Sequence, residues 1–223
     1  MKIIARIHTD FKEKFGIPRQ SALSSALGKI VFEKEYRCAD ALRGIESFSH
    51  LWIIWQFSES IRENFTPTVR PPRLGGNKKV GVFATRSPFR PNPIGLSSVK
   101  LVELKEEPGL GTVLYVEGAD MLDGTPIYDI KPYIKYTDSH PDAKSSFAEE
   151  EYGKRLEVII PDGEAIKLKD AEKEVLTALL EEDPRPSYQE DPEREYGMLF
   201  ASVEVFFKVK EKTLTVTRIK EKS

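Results

Sequence analysis

The 223-residue chain has a single cysteine, Cys38, so no intramolecular disulfide can form. With no CxxC partner, a structural zinc finger is excluded as well. Long apolar runs are also missing. The longest, Leu51 to Trp55, is far below the ~20 residues of a membrane-spanning helix. Met1-Lys2-Ile3-Ile4 lacks a signal-peptide apolar region, and the default address is the cytoplasm. No HExxH, Walker A or GxGxxG pattern occurs. Gly109-Leu110-Gly111 comes nearest to a dinucleotide loop, but Leu114 stands where the third glycine belongs. His8, His50 and His140 are far apart, and no metal site is expected.

Acidic residues are absent from one long stretch. Thr66 through Val102 holds no Asp or Glu but carries Arg70, Arg73, Lys78, Lys79, Arg86, Arg90 and Lys100. The whole chain has a formal net charge of -2, so this window is +7 and the remainder is -9. Such asymmetry points to a negative partner met at one place. The window also contains six of the 15 prolines and four of the 14 glycines, which makes it a set of shaped loops. The arginines are therefore presented on stiff backbone, the alternative being a plain solvated basic loop.

What is present is core material: 12 Phe, 8 Tyr and 2 Trp, in a chain that is 31% charged. Short β-branched or alternating runs predict strands at 2–7, 29–36, 48–57, 79–84, 98–104, 112–118 and 126–133, with a helical turn or two at 38–45. Many short strands without long intervening helices favour a barrel or sandwich over a parallel sheet. After about Tyr136 the pattern changes. A strand at 155–160 precedes one long helix at 167–182, with Val175, Leu176, Leu179 and Leu180 on one stripe. Asp183-Pro184-Arg185-Pro186 stops that helix, and a hairpin of 197–210 and 214–219 closes the chain. The expected organisation is mainly β: a barrel domain at 1–136 and a small α+β domain at 137–223.

The strings Pro18-Arg19-Gln20, His50-Leu51-Trp52-Ile53, Arg70-Pro71-Pro72-Arg73-Leu74-Gly75-Gly76, Thr85-Arg86-Ser87-Pro88-Phe89-Arg90-Pro91-Asn92-Pro93-Ile94-Gly95, Asp123-Gly124-Thr125-Pro126, Asp129-Ile130-Lys131-Pro132-Tyr133 and Asp183-Pro184-Arg185-Pro186 together resemble the TrmO (YaeB/TsaA-like) family. The resemblance runs from about Ile3 to about Arg218. It implies an S-adenosylmethionine-dependent methyltransferase on a single-sheeted β-barrel with a small C-terminal domain, acting as a homodimer. Its implied substrate is N6 of the threonylcarbamoyladenosine just 3′ of the tRNA anticodon. Neither a membrane nor DNA is an expected partner.

The resemblance also implies site residues. Cofactor contacts fall on Pro18, Arg19, Gln20, His50, Leu51, Arg86, Leu96, Asp123, Gly124, Thr125 and Pro126. A guanidinium fork at Arg86 suits a carboxylate, and Arg19 with Gln20 offers donors to a carboxylate or ribose. His50 is otherwise read as a satisfied strand histidine, and Asp123-Gly124 as a plain turn. Arg70, Arg73, Lys78 and Arg90 are candidates for tRNA phosphates, some of the arginines pairing instead with Asp120 or Asp129. Tyr133 and Arg185 are further substrate-side candidates. Asp129, Asp183 and Tyr188 are the groups to test for removing the N6 proton, unless the 183–188 segment is only a helix stop. The competing readings are a non-catalytic tRNA- or anion-binding barrel, and a methyltransferase with another acceptor.

Overall fold

Alternation of apolar and polar residues, with period two, builds the first part of the chain. The computed structural model describes residues 1–71, 74, 78–151, 155–185 and 191–221. Strands β1 (Ala5–Thr9), β2 (Leu27–Phe32) and β3 (His50–Gln56) are followed by the short pair β4 (Thr68–Val69) and β5 (Val80–Gly81). Then come β6 (Ile94–Glu107), β7 (Gly111–Glu117) and β8 (Thr125–Pro132). Six of these close a barrel in the order β1-β2-β7-β6-β3-β8, every pairing antiparallel. Closure leaves no unpaired barrel edge. Along β3, Leu51, Ile53 and Trp55 point inward and are buried, while His50, Trp52 and Ile54 face out. Ala5, Ile7, Ile30, Val99, Leu114, Val116 and Ile127 complete the interior.

One glycine inside the barrel is required by a close approach. Gly95 of β6 lies opposite Trp55 of β3, and a methyl group there would overlap the indole. The indole Nε1–H then donates to Ser97 Oγ at 2.9 Å, two residues further along β6.

Helices are few: α1 (Ala39–Leu42), α2 (Lys135–Asp138), α3 (Phe147–Glu151), α4 (Asp162–Ala165) and the longer α5 (Asp170–Glu181). No described helix is long and apolar enough to cross a membrane. At the start of α5 the Lys169 backbone N–H donates to Glu172 Oε2 at 2.9 Å, one half of a capping box. Leu176, Leu179 and Leu180 bury the stripe read from the sequence. They pack on a four-stranded sheet ordered β10-β11-β12-β9, made of β9 (Glu157–Ile159), β10 (Tyr196–Phe200), β11 (Val203–Lys210) and β12 (Thr213–Glu221).

Three of the differences from the sequence expectation have a clear local cause. The strand expected at 79–84 ends after Gly81, because Val82 turns inward, is buried, and accepts the Thr85 amide in a 3₁₀ turn. The strand expected at 197–210 is two strands hinged at Ala201, whose φ of 51 reverses the chain into a hairpin. The strand expected at 98–104 begins four residues earlier, at Ile94, because Ile94-Gly95-Leu96 pairs with Gln56, Trp55 and Ile54.

The two hydrophobic cores do not divide at a single point along the chain. Phe11 and Ala26, from the long loop between β1 and β2, are buried among Leu176, Met198, Val205, Phe207 and Val216, with Phe15 and Ile17 packed alongside. Gly16, with φ 91, lies against Met198, and any side chain there would overlap the methionine methyl. The Leu199 amide donates to Glu13 Oε1 at 2.8 Å. The β1–β2 loop is thus part of the second core.

Candidate functional site

That loop also carries Pro18-Arg19-Gln20. Pro18 is buried, and Arg19 reaches out to the end of α5, where its Nη2 donates to the carbonyls of Asp183 at 2.7 Å and Arg185 at 3.3 Å. Asp183 has φ 50, a conformation that short polar side chains tolerate. Its carboxylate receives Arg185 Nε and Nη2, each at 2.9 Å, and the Arg185 backbone amide at 3.2 Å. The fork is two-pronged and partly buried, so it fixes the segment following the helix. A cleft of about 170 Å³ lies beside it, lined by Phe15, Ile17, Pro18, Arg19, Leu179 and Pro184 among others.

Gln20 faces the opposite way. Its Oε1 accepts a hydrogen bond from Arg86 Nη1, which joins two strings 66 residues apart in the chain. Arg86 is exposed and lies within electrostatic reach of the Asp120 carboxylate. Asp120 Oδ1 accepts from Ser97 Oγ at 2.6 Å, and Ser97 Oγ accepts from Trp55, so the chain of donors starts in the barrel core. Burial raises the Asp120 carboxyl above the usual carboxylate range. The Ser97 hydroxyl, the Ser21 amide and Arg86 offset part of that. Asp120 enters the sequence reading only as a partner for an arginine. Its flanking residues, Ala119 and Met121, are fully buried, and that apolar setting is the one signal that a carboxylate here is special.

The remaining site candidates fall in several places. His50 is exposed at the barrel end, its Nδ1 2.9 Å from Ser49 Oγ, with the Tyr133 ring 6.2 Å away. It lines a cavity of about 300 Å³ together with Ser24, Ser25, Lys100, Glu117 and Ala178, at the small end of ligand sites. Leu51 points into the barrel core, whereas Leu96 lies on the outer face with 58% of its surface exposed, opposite Ile54. In the 123–126 turn, burial opposes ionisation of Asp123, yet the Lys12 ammonium at 2.7 Å, the Thr9 amide and His8 hold it below the usual carboxylate range. Gly124 has φ 76, its carbonyl accepting from Arg6, and Thr125 and Pro126 are buried.

On the substrate side, Asp129 is ion-paired with Lys131 at 3.2 Å and its side chain is 47% exposed. Arg70 and Lys78 are exposed, while Arg90 Nη1 donates to the carbonyls of Thr85 at 2.7 Å and Val82 at 3.2 Å. Arg73 and Tyr188 lie outside the described residues.

Chemically, an exposed guanidinium, an amide and a half-buried carboxylate meet on one side of the barrel. Such a set can hold a ligand carrying both a carboxylate and a cationic or amino group.

The chain resembles known proteins in both sequence and fold. Residues 6–139 match the tRNA-methyltransferase O N-terminal domain, and residues 153–222 match the TrmO C-terminal domain. The chain is 43% identical over 197 residues to an Escherichia coli protein named tRNA (adenine(37)-N6)-methyltransferase, covering 85% of this chain and 83% of that one. It is 37% identical over 219 residues to RcsF of Pseudomonas aeruginosa, whose name proposes an S-adenosylmethionine-dependent methyltransferase, covering 91% and 89%. A crystal structure of TrmO from P. aeruginosa superposes with a TM-score of 0.80 at 30% identity, covering 99% of this chain and 95% of that one. With both domains matched in order and the whole fold shared, this chain belongs to the tRNA-methyltransferase O family.

Proposed function

We propose that the protein transfers a methyl group from S-adenosylmethionine to N6 of adenine 37 in tRNA, the base just 3′ of the anticodon, in its threonylcarbamoyl form. We further propose that it acts as a homodimer in the cytoplasm. The observation that carries this reading is the Gln20–Arg86 hydrogen bond with Asp120 behind it, in a chain whose relatives are named for that reaction.

The donor set suits the methyl donor. Arg86 can grip a methionyl carboxylate, Gln20 can hold an adenine or ribose edge, and Asp120 places negative charge near the guanidinium. When bound, S-adenosylmethionine supplies an electrophilic methyl group on a sulfonium. The N6 lone pair forms the new N–C bond as the C–S bond breaks, and N6 gives up its proton. Of the described carboxylates proposed to take that proton, Asp183 has both oxygens in the Arg185 fork. Asp129 has one oxygen paired with Lys131 and the other accepting the Ile130 amide, but keeps about half of its side chain exposed and is the more accessible base. The acid-free window supplies Arg70 and Lys78 for backbone phosphates. Positioning of donor and acceptor, rather than a strong acid or base, carries the rate in such a site.

Calorimetric titration with S-adenosylmethionine tests the donor site, and transfer of labelled methyl to tRNA tests the acceptor. Arg86→Ala is expected to weaken donor binding roughly 10- to 150-fold, the worth of a hydrogen bond to a charged group. Absence of donor binding by the unmodified protein would remove the methyltransferase reading. Donor binding without methyl transfer to tRNA would leave a different acceptor.

A further inference from the structure

Downstream of the barrel strand β3, three phenylalanines lie at the protein surface instead of in a core. Phe83 is 72% exposed, Phe65 53% and Phe89 36%. Phe65 and Phe83 are stacked, with ring centroids 6.2 Å apart and planes at 26°. Two of the three rings are accompanied by a guanidinium: Arg62 lies 3.6 Å above the centre of Phe89, and Arg90 lies 5.8 Å from the centre of Phe83.

The segment that presents them is built to hold still. Val82, next to Phe83, is buried, and its amide donates to the Pro67 carbonyl. Arg90 bonds back to the carbonyls of Val82 and Thr85, and Ser87 Oγ accepts the Phe89 amide. Pro88, Pro91 and Pro93 restrict the rest. Exposed aromatic rings on fixed backbone are prepared for a partner, because little ordering remains to be done on binding.

We propose that Phe83 and Phe89, with Arg90 and Arg62 behind them, form a stacking platform for unpaired bases of the tRNA anticodon loop. The inference rests on the tRNA reading above and adds a recognition surface to it. Recognition of RNA loops relies on splayed bases stacked on aromatic side chains and guanidinium planes. Phe83, Phe89 and Arg90 lie within the stretch that has no Asp or Glu, and Arg62 lies just before it, so every charged side chain that this stretch offers to phosphates is positive. It flanks Arg86, which places the stacked bases beside the proposed donor site. A second copy of the chain is the other occupant to consider. An isologous contact would set this cationic surface against itself, which disfavours it.

The test is fluorescence anisotropy with a synthetic anticodon stem-loop RNA over a range of salt concentrations. Phe83→Ala is expected to lower affinity roughly 5- to 150-fold, as loss of one base–aromatic stack does. The slope of log K against log salt stays unchanged, since no phosphate contact is lost. Phe83→Trp retains affinity, Phe89→Ala behaves like Phe83→Ala, and donor titration of each variant matches the parent. Parental RNA affinity in both alanine variants overturns the platform and leaves the tRNA reading intact. Absence of RNA binding by the parent protein removes both. A fall in RNA affinity accompanied by a halved mass in light scattering assigns the patch to a contact between copies. A fall accompanied by lost donor binding assigns Phe83 to folding of the loop. Either of these overturns the platform.

Discussion

At the scale of single residues, Asp120 holds the most information. Burial raises its carboxyl pKa, so the folded protein binds its proton more tightly than the unfolded chain does. Stability from this group is therefore greatest in acid and falls as pH rises from the unfolded value towards the raised folded one, beyond which a fixed cost remains. Asp120→Asn keeps an acceptor for Ser97 and removes that cost. Thermal melts should show the variant gaining on the parent as pH rises above the ordinary aspartate value of about 3.9, while titration shows weaker donor binding. Equal melting curves across that range would mean that Asp120 carries no buried charge. From the sequence, Arg86 could be picked out because a basic residue in a proline-rich, acid-free window has few structural explanations. Asp120 could not, since its environment is made by Trp55, Ser97 and Ser21, brought to it only by the barrel register.

Elements explain where the strand pattern is legible in the sequence and where it is hidden. Burial alternates with period two along β1 and β3, whose one face is buried and whose neighbours fix the register. The start of β6 is hidden because Pro93 and Gly95 look like turn residues, yet Gly95 is there to admit the Trp55 indole. The break between β10 and β11 is hidden because Ala201 adopts a left-handed conformation that glycine usually signals. Gly95→Ala tests the first point: overpacking against Trp55 should cost about 1–3 kcal/mol. At roughly 2–4 °C per kcal/mol for a chain of this size, the melting temperature drops accordingly. Altered tryptophan emission should accompany it as the indole leaves Ser97.

For the molecule as a whole, the β1–β2 loop is the joint. Phe11, Phe15, Ile17 and Ala26 are held by the second core, while Arg19 and Gln20 on the same loop face the Asp183 segment and Arg86. No sequence pattern announces that a loop belongs to a core more than 150 residues away. A distant core substitution should therefore reach the site. Phe207→Ala, a truncation costing about 3–5 kcal/mol in a buried position, is expected to weaken donor binding as well as lower the melting temperature. Unchanged donor affinity in a folded variant would show the loop to be self-supporting.

A consequence follows for how defects in this protein would be inherited and diagnosed. A genetic screen for lost activity would return lesions spread over the C-terminal sheet, none of them touching a ligand. Many would be conditional on temperature, because what they loosen is the anchorage of Arg19 and Gln20 and not the chemistry itself. Such lesions would act through the loop that the C-terminal sheet anchors.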